Sequence, residues 1–384
     1  MPRLSPLVRL ASLAGCATAG LVLAGLALPL PVGAAPADEP RVEIVVRGLA
    51  NPWGLAFLPD GRALVTERPG RLRIVNLRTR TLSGPVAGVP RVAAGGQGGL
   101  LGLALHPQFV ASREIFLCFA EPREDGTGTA VFRARLSADG ASLEEGRVIF
   151  RQMPSGNTTR HFGCRLVFDR AGHLFVTLGD RGNRMAEAQD LSGHIGKVVR
   201  IRVDGSPPPD NPFLDRPEAK PEIWSYGHRN IQGAALHPET GALYTVEHGA
   251  RGGDEVNRPE KGRNYGWPEI TYGVDYSGAR IGSGTRRDGM EQPLYYWDPS
   301  IAPSGAAFYT GDRFPAWRGH LLVGALAGSL LARLELRDGR IVGETRYLES
   351  LRERIRDVVV GPDGYPYILT DSGDGMLARL VPKG

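Results

Sequence analysis

One pattern recurs along the chain and narrows the folds open to it. In "LAFLPDGRALVTER" (55–68) an apolar stretch meets a Pro-Asp-Gly turn and leaves through an alternating strand. "LVFDRAGHLFVTLGD" (166–180), "AALHPETGALYTVEHG" (234–249) and "VVVGPDGYPYILTDSGDG" (358–375) repeat it. Looser copies are "LALHPQFVASREIFLCFAE" (103–121) and "AAFYTGDRFPAWRGHLLVGAL" (306–326). Turn residues of this kind set hairpin geometry, and the flanking period of two marks half-buried strands. Six copies spaced by roughly 50 to 75 residues predict an all-β chain, a six-bladed β-propeller of four-stranded antiparallel sheets. A single sandwich would leave the six near-copies unexplained. No helical period of useful length competes; "ESLRERIRDVV" (349–359) reads equally as a short helix or as a strand. In a propeller the loops at one end of the blades converge on the axis, so function is expected in the segments flanking each repeat.

The N-terminus stands apart. Arg3 and Arg9 precede the apolar run "LVLAGLALPLPVGAA", which ends in small residues before "PADEP". That order predicts a secretory signal peptide over 1–35, cleaved near Ala35, and a propeller domain over 36–384. An uncleaved anchor is the alternative, and "LAGC" (13–16) falls too early in the run for a lipoprotein box. Periplasmic export without stable membrane insertion is the expectation. Of 46 basic and 41 acidic residues, Arg3 and Arg9 lie in this segment, so the net charge falls from +5 to +3 (44 against 41). Such a balance gives no argument for a nucleic-acid partner. Cys118 and Cys164 remain, either as one disulfide or as two buried thiols.

The polar residues cluster in the flanks. His161, in "TTRHFGCRLVFD", directly precedes a strand, where an imidazole suits proton abstraction near neutral pH. Asp180 ends the strand of the same repeat and can orient it, with Arg165 close in sequence. "YGHRNIQG" (226–233) places Arg229, Asn230 and Gln232 on one short loop, a donor and acceptor set for a planar, polyanionic ligand. Arg354 and Arg356 alternate in "ERIRDV", so in a strand both face one way; surface carboxylates are their other natural partners. Gln97 stands between glycine pairs in "GGQGG", on backbone free to approach a ligand closely. "EHGARGGDEVN" (247–257) offers carbonyls together with Asp254 and Glu255, hard oxygens of the type calcium takes. No HExxH or paired CxxC spacing occurs, nor GxSxG, nor a GxGxxG after a strand, which excludes the commonest zinc, serine-hydrolase and dinucleotide sites.

In combination and in order, these strings resemble the glucose/sorbosone dehydrogenase family of soluble quinoproteins, in its aldose sugar dehydrogenase branch. The resemblance runs from "GLANPWGLAFLPDGRALVTERPGRLRIV" (48–75) through "GGQGGLLGLALHPQF", "HFGCRLVFD", "DLSGHIGKVVRI", "SYGHRNIQG", "HGARGGDEVN" and "NYGWP" to "RIRDVVVGPDGYPYILTD". It implies a propeller that holds pyrroloquinoline quinone (PQQ) and Ca2+ and oxidises an aldose at C1 to a lactone. His161 then matches the general base and Asp180 its supporting partner. Arg229 matches the residue beside the cofactor and the transferring hydride. Gln97, Asn230 and Gln232 belong with the ring system, and Arg354 and Arg356 with its carboxylates. Trp297 and Ser300 match a contact wall, the carbonyls of Gly249 and Ala250 the catalytic calcium, and Asp275 a second, structural calcium. The implied partners are an aldose and an external electron acceptor (quinone, dye or cytochrome), with the protein a monomer or homodimer.

Two departures stand out. Where the family often carries a lysine after "LLVxxL", Ala327 stands here, which implies either reduced cofactor affinity or a substitute such as Arg318 or Arg333. Arg160 precedes the base where glucose-specific members carry an acid, which implies a broad or different sugar preference. A calcium-dependent lactonase and a cofactor-poor binding propeller are the competing readings.

Overall fold

Each of the six repeats folds as the inner hairpin of its own sheet. The structure, a computed structural model, describes residues 38–383, so the expected signal peptide lies outside the described residues. Six four-stranded antiparallel sheets form a six-bladed β-propeller. The innermost strands, in chain order, are Pro52–Phe57, Leu100–Leu105, Leu166–Phe168, Ile231–Leu236, Pro303–Phe308 and Ile355–Val360. Each lies against the next, and Ile355–Val360 packs on Pro52–Phe57 to close the ring. We number the blades I to VI by these strands.

Closure uses both ends of the chain. Blade VI takes three strands from the C-terminal side, Ile355–Val360, Pro366–Thr370 and Gly375–Val381, and its outermost strand, Arg41–Leu49, from the N-terminal side. Arg41–Leu49 pairs antiparallel with Gly375–Val381, from Arg41 opposite Val381 to Leu49 opposite Gly375. Asp38 fixes the approach to this strand: its carboxylate accepts from Trp317 Nε1 (2.7 Å), Tyr347 Oη (2.8 Å) and Arg333 Nη1 (3.1 Å).

The core is divided among the blade interfaces, because each sheet buries both faces against its neighbours. Leu72, Leu100, Leu117 and Phe132 join blades I and II, while Tyr244, Val256, Leu321 and Ala332 join IV and V. Each such side chain contributes about 1.5–3 kcal/mol when fully buried. The interface between III and IV is the sparsest, with Phe175, Val198, Ile231 and Leu243 alone fully buried in its cluster. The ambiguous segment 349–359 divides: Glu349–Leu351 is a single 3-10 turn, and Ile355–Val360 is the blade VI inner strand. Ile355 and Val358 are sealed in the core, and their pairing with the second strand decides for strand over helix.

Candidate active site

The antiparallel hairpin puts the start of each inner strand and the end of its partner at the same end of the molecule. Most of the expected site residues occupy those positions, and they meet at the axis. A cavity of about 250 Å³ there is lined by Trp53, Arg68, Gln97, Leu101, Phe162, Gly163, Gln232, His248, Ala302, Leu326, Arg354, Arg356 and Asp371. Arg165 closes its floor. The guanidinium pairs with Asp357 at 2.8 Å, donates to the Gln232 carbonyl at 2.6 Å and the Arg356 carbonyl at 3.1 Å, and stacks 4.0 Å over Trp53. Arg165 thus braces blades III, IV and VI and has no contact with Asp180.

His161 directly precedes the lining residues Phe162 and Gly163. Its Nδ1 is 2.5 Å from Asp180 Oδ1, and the other carboxylate oxygen accepts Trp267 Nε1 at 2.9 Å. Gly182 N also donates to Asp180. The turn bearing His161 is unusual backbone, with φ +51° at His161, +65° at Gly163 and +83° at Cys164. At Gly163 any Cβ would stand 2.6 Å from the Thr177 carbonyl, so glycine is required there. Three contacts hold the turn. Gln97 Oε1 accepts His161 N (2.8 Å), Thr129 Oγ1 donates to Phe162 O (2.7 Å), and a Cys118–Cys164 disulfide ties it to blade II. The bridge decides between the two states open to those cysteines. Gln97 therefore lines the cavity and also positions the histidine.

Burial lowers the His161 pKa, since the imidazolium would be poorly solvated, and this outweighs the opposing pull of Asp180. Burial works against the Asp180 carboxylate too, but His161 and Arg229 hold it below its ordinary value. The pair at neutral pH is therefore a neutral imidazole donating from Nδ1 to a carboxylate, with the Nε2 lone pair free as a base.

Arginines dominate the opposite wall. Asp371 Oδ2 accepts Arg356 Nη2 at 2.8 Å and Arg354 Nη2 at 3.4 Å, so both arginines do face one way. Burial lowers Arg356 to about 10, against the pull of Asp371. Arg356 Nη1 reaches Gln232 Oε1 (3.2 Å), and Gln232 Nε2 reaches Asn230 Oδ1 (3.2 Å). Arg356 Nε, Asn230 Nδ2, Arg68 Nε and Asp371 Oδ1 are buried without a partner. The three nitrogens are orphaned donors, each costing about 1–3 kcal/mol, and they suit a ligand that supplies acceptors; Asp371 Oδ1 is an unpaired acceptor. A flat tricarboxylate such as PQQ fits this donor set.

The calcium residues fit less directly. Gly249 O accepts Arg229 Nη1, which also reaches His248 O (3.2 Å), so a guanidinium already occupies that carbonyl. Calcium takes six to eight oxygens, and Gly249 and Ala250 would need others from the bound ligand. Both oxygens of Asp254 are engaged: Oδ2 accepts Ser300 Oγ (2.6 Å), Ile301 N and Ala302 N, and Oδ1 accepts Gly249 N (2.8 Å). Asp275 lies on an outer loop where Oδ1 accepts Ser277 N and Oγ, and no cluster of three metal-ligating side chains occurs among the described residues.

Other expectations need correction. Trp297 ends the outermost strand of blade IV, with Nε1 bonded to Glu344 (3.1 Å); together with Ser300 and Ala327 it lines a separate groove of about 350 Å³. Neither reaches the axial cavity wall. Arg333 is engaged by Asp38, and Arg318 follows the 3-10 turn Pro315–Trp317 at the far end of blade V, so neither replaces a lysine at 327. Arg68, Trp53, His248, Trp267 and Asp371 escaped the sequence reading. Burial, with Arg229 adding to it, lowers His248 to about 3, so this ring stays neutral and donates from Nε2 to Pro303 O (2.7 Å).

The model of the glucose/sorbosone dehydrogenase family matches residues 49–379. Aldose sugar dehydrogenase YliI of Escherichia coli (strain K12) is 47% identical over 354 residues, covering 91% of this chain and 95% of its own. A glucose dehydrogenase crystal structure superposes with a TM-score of 0.87 at 52% identity, over 88% of this chain and 99% of that one. The PQQ-bound form of aldose sugar dehydrogenase from Streptomyces coelicolor superposes with a TM-score of 0.74 at 29% identity, over 91% of this chain and all of that one.

Proposed function

The chain belongs to the glucose/sorbosone dehydrogenase family, a sugar oxidoreductase on a propeller, and from that premise we propose that it is a periplasmic quinoprotein oxidising aldoses at C1 to lactones. The observation that carries this reading is the His161–Asp180 pair, held by the turn whose next residues, Phe162 and Gly163, line a cavity that also contains Arg354 and, with unmet donors, Arg68 and Arg356. When bound, PQQ supplies the two-electron acceptor and calcium a Lewis acid beside it. Arg354 and Arg356 would hold its carboxylates and Gln97, Asn230 and Gln232 its rim, while the carbonyls of Gly249 and Ala250 would hold the metal once Arg229 Nη1 gives up Gly249 O.

The protein's own part is proton chemistry and positioning. His161 Nε2 accepts the proton of the C1 hydroxyl as the C1–H electron pair leaves with its hydrogen, and C1–O becomes the lactone carbonyl. Asp180 fixes the tautomer and stabilises the imidazolium that forms. Arg229, 5.3 Å over the Trp267 ring, is a positive charge acting on the His161–Asp180 pair, and would stabilise negative charge developing there. Arg160 stands exposed next to His161 and favours a sugar preference other than strict glucose specificity.

Reconstitution tests this. Apoprotein mixed with PQQ and Ca2+ is expected to reduce an artificial acceptor with several aldoses, and apoprotein alone is not. A reconstituted protein that oxidises no aldose would overturn the reaction; lactone hydrolysis without quinone would favour the hydrolase instead.

A further inference from the structure

Arg68 follows the second strand of blade I and enters the axial cavity beside Arg354, Arg356 and Asp371. Its backbone is fixed between blades: Arg68 N donates to Asn51 O (3.1 Å), and Arg68 O accepts Leu100 N (3.1 Å). That approach exists because residue 99 is glycine, where a Cβ would lie 2.0 Å from Arg68 O. Nη1 is anchored to Gly96 O at 2.8 Å, while Nε is buried with no partner. Arg68 has no carboxylate of its own among the described residues. Its charge is felt by both Arg356 and Asp371.

Three guanidinium groups thus face the single carboxylate of Asp371, since Arg165 below is neutralised by Asp357. Arg356 is buried against Asp371, Arg68 is half-buried and Arg354 is half exposed, so an anion entering the cavity would meet positive charge that the protein's own carboxylate does not balance. We infer that Arg68 is a third arm of an anion clamp with Arg354 and Arg356, binding a carboxylate of the cofactor from the blade I side. This rests on the PQQ reading above. A merely structural Arg68 would staple the Gly96–Gln97 turn and leave ligand charge irrelevant.

The test separates the two. Apoprotein is titrated by absorbance with PQQ and with its trimethyl ester, which keeps the rings and lacks the charges. Arg68→Gln is expected to weaken PQQ binding by about 10- to 100-fold, as for loss of one buried charge-assisted contact, with the ester unaffected. Arg68→Lys should recover part of that loss and guards against a misfolded Gln variant. Equal weakening of acid and ester, or unchanged PQQ affinity in Arg68→Gln, would overturn the clamp. Wild-type protein that binds neither would overturn the quinoprotein reading itself.

Discussion

Two cavities divide this molecule, and the larger is the less informative. The axial cavity holds about 250 Å³; a second of about 900 Å³ opens at the opposite ends of blades III to V, lined by Trp224, His237, Thr240, Lys261 and Asp338 among others. The second sits where the III–IV interface is poorest in buried side chains; its arginines are paired, Arg200 with Asp169 and Asp210 and Arg258 with Glu260, and Glu239, Lys261 and Asp338 are exposed to solvent. It is a packing gap whose polar chemistry is complete. The axial cavity is small, and its donors are not complete. Unmet charge and orphaned hydrogen-bonding groups, rather than volume, distinguish a binding site here.

Substitutions at each cavity test that contrast. The largest effect is expected at His161: His161→Ala should lower kcat by about 10⁴-fold, the upper range for general base catalysis, with PQQ affinity largely kept by absorbance titration. Asp180→Asn follows, with kcat falling by about 10²–10³-fold. In the wild type, kcat/KM against pH should rise to a plateau with its midpoint below 6.5, because burial lowers the His161 pKa. The residual activity of Asp180→Asn should have that limb moved further to acid, since the carboxylate's opposing pull is gone. A midpoint above 6.5 would contradict the neutral-imidazole pair.

Asp371→Asn tests the charge imbalance directly. Removing the only carboxylate facing three arginines should destabilise the apoprotein by about 3 kcal/mol, read by denaturant unfolding, yet tighten PQQ binding because an internal competitor is lost. Weaker binding in that variant would argue against a clamp. At the other cavity, Thr240→Ala and Lys261→Ala should shift stability by no more than about 0.5 kcal/mol and leave dye reduction unchanged. A loss of activity there would show that the wider cavity has a function after all.

The blades were legible because turn chemistry and period-two alternation are local, and all six hairpins fall on the quoted repeats. The site was legible where one loop carried several donors, as at 229–232. It was missed where ring geometry assembles single residues from distant blades. Yet a signal existed: Arg68, His248, Leu326 and Asp371 each directly follow the second strand of a repeat, so aligning the copies on that strand would have grouped them. Trp297 was misplaced for the opposite reason, since the sequence does not show that "YYW" forms an outermost strand. Arg165 was read with Asp180 by closeness along the chain, whereas its partner Asp357 comes from across the axis.

The two-ended construction of blade VI has a consequence for the ligand. Arg354, Arg356 and Asp371 belong to the sheet that Arg41–Leu49 completes, so whatever they grip is linked to the joint between chain ends. By mass action, an occupant that binds only the closed toroid opposes its opening and raises the melting temperature with concentration. The redox group would then serve as a keystone, and shortening the first strand would loosen its hold without touching a single residue that contacts it.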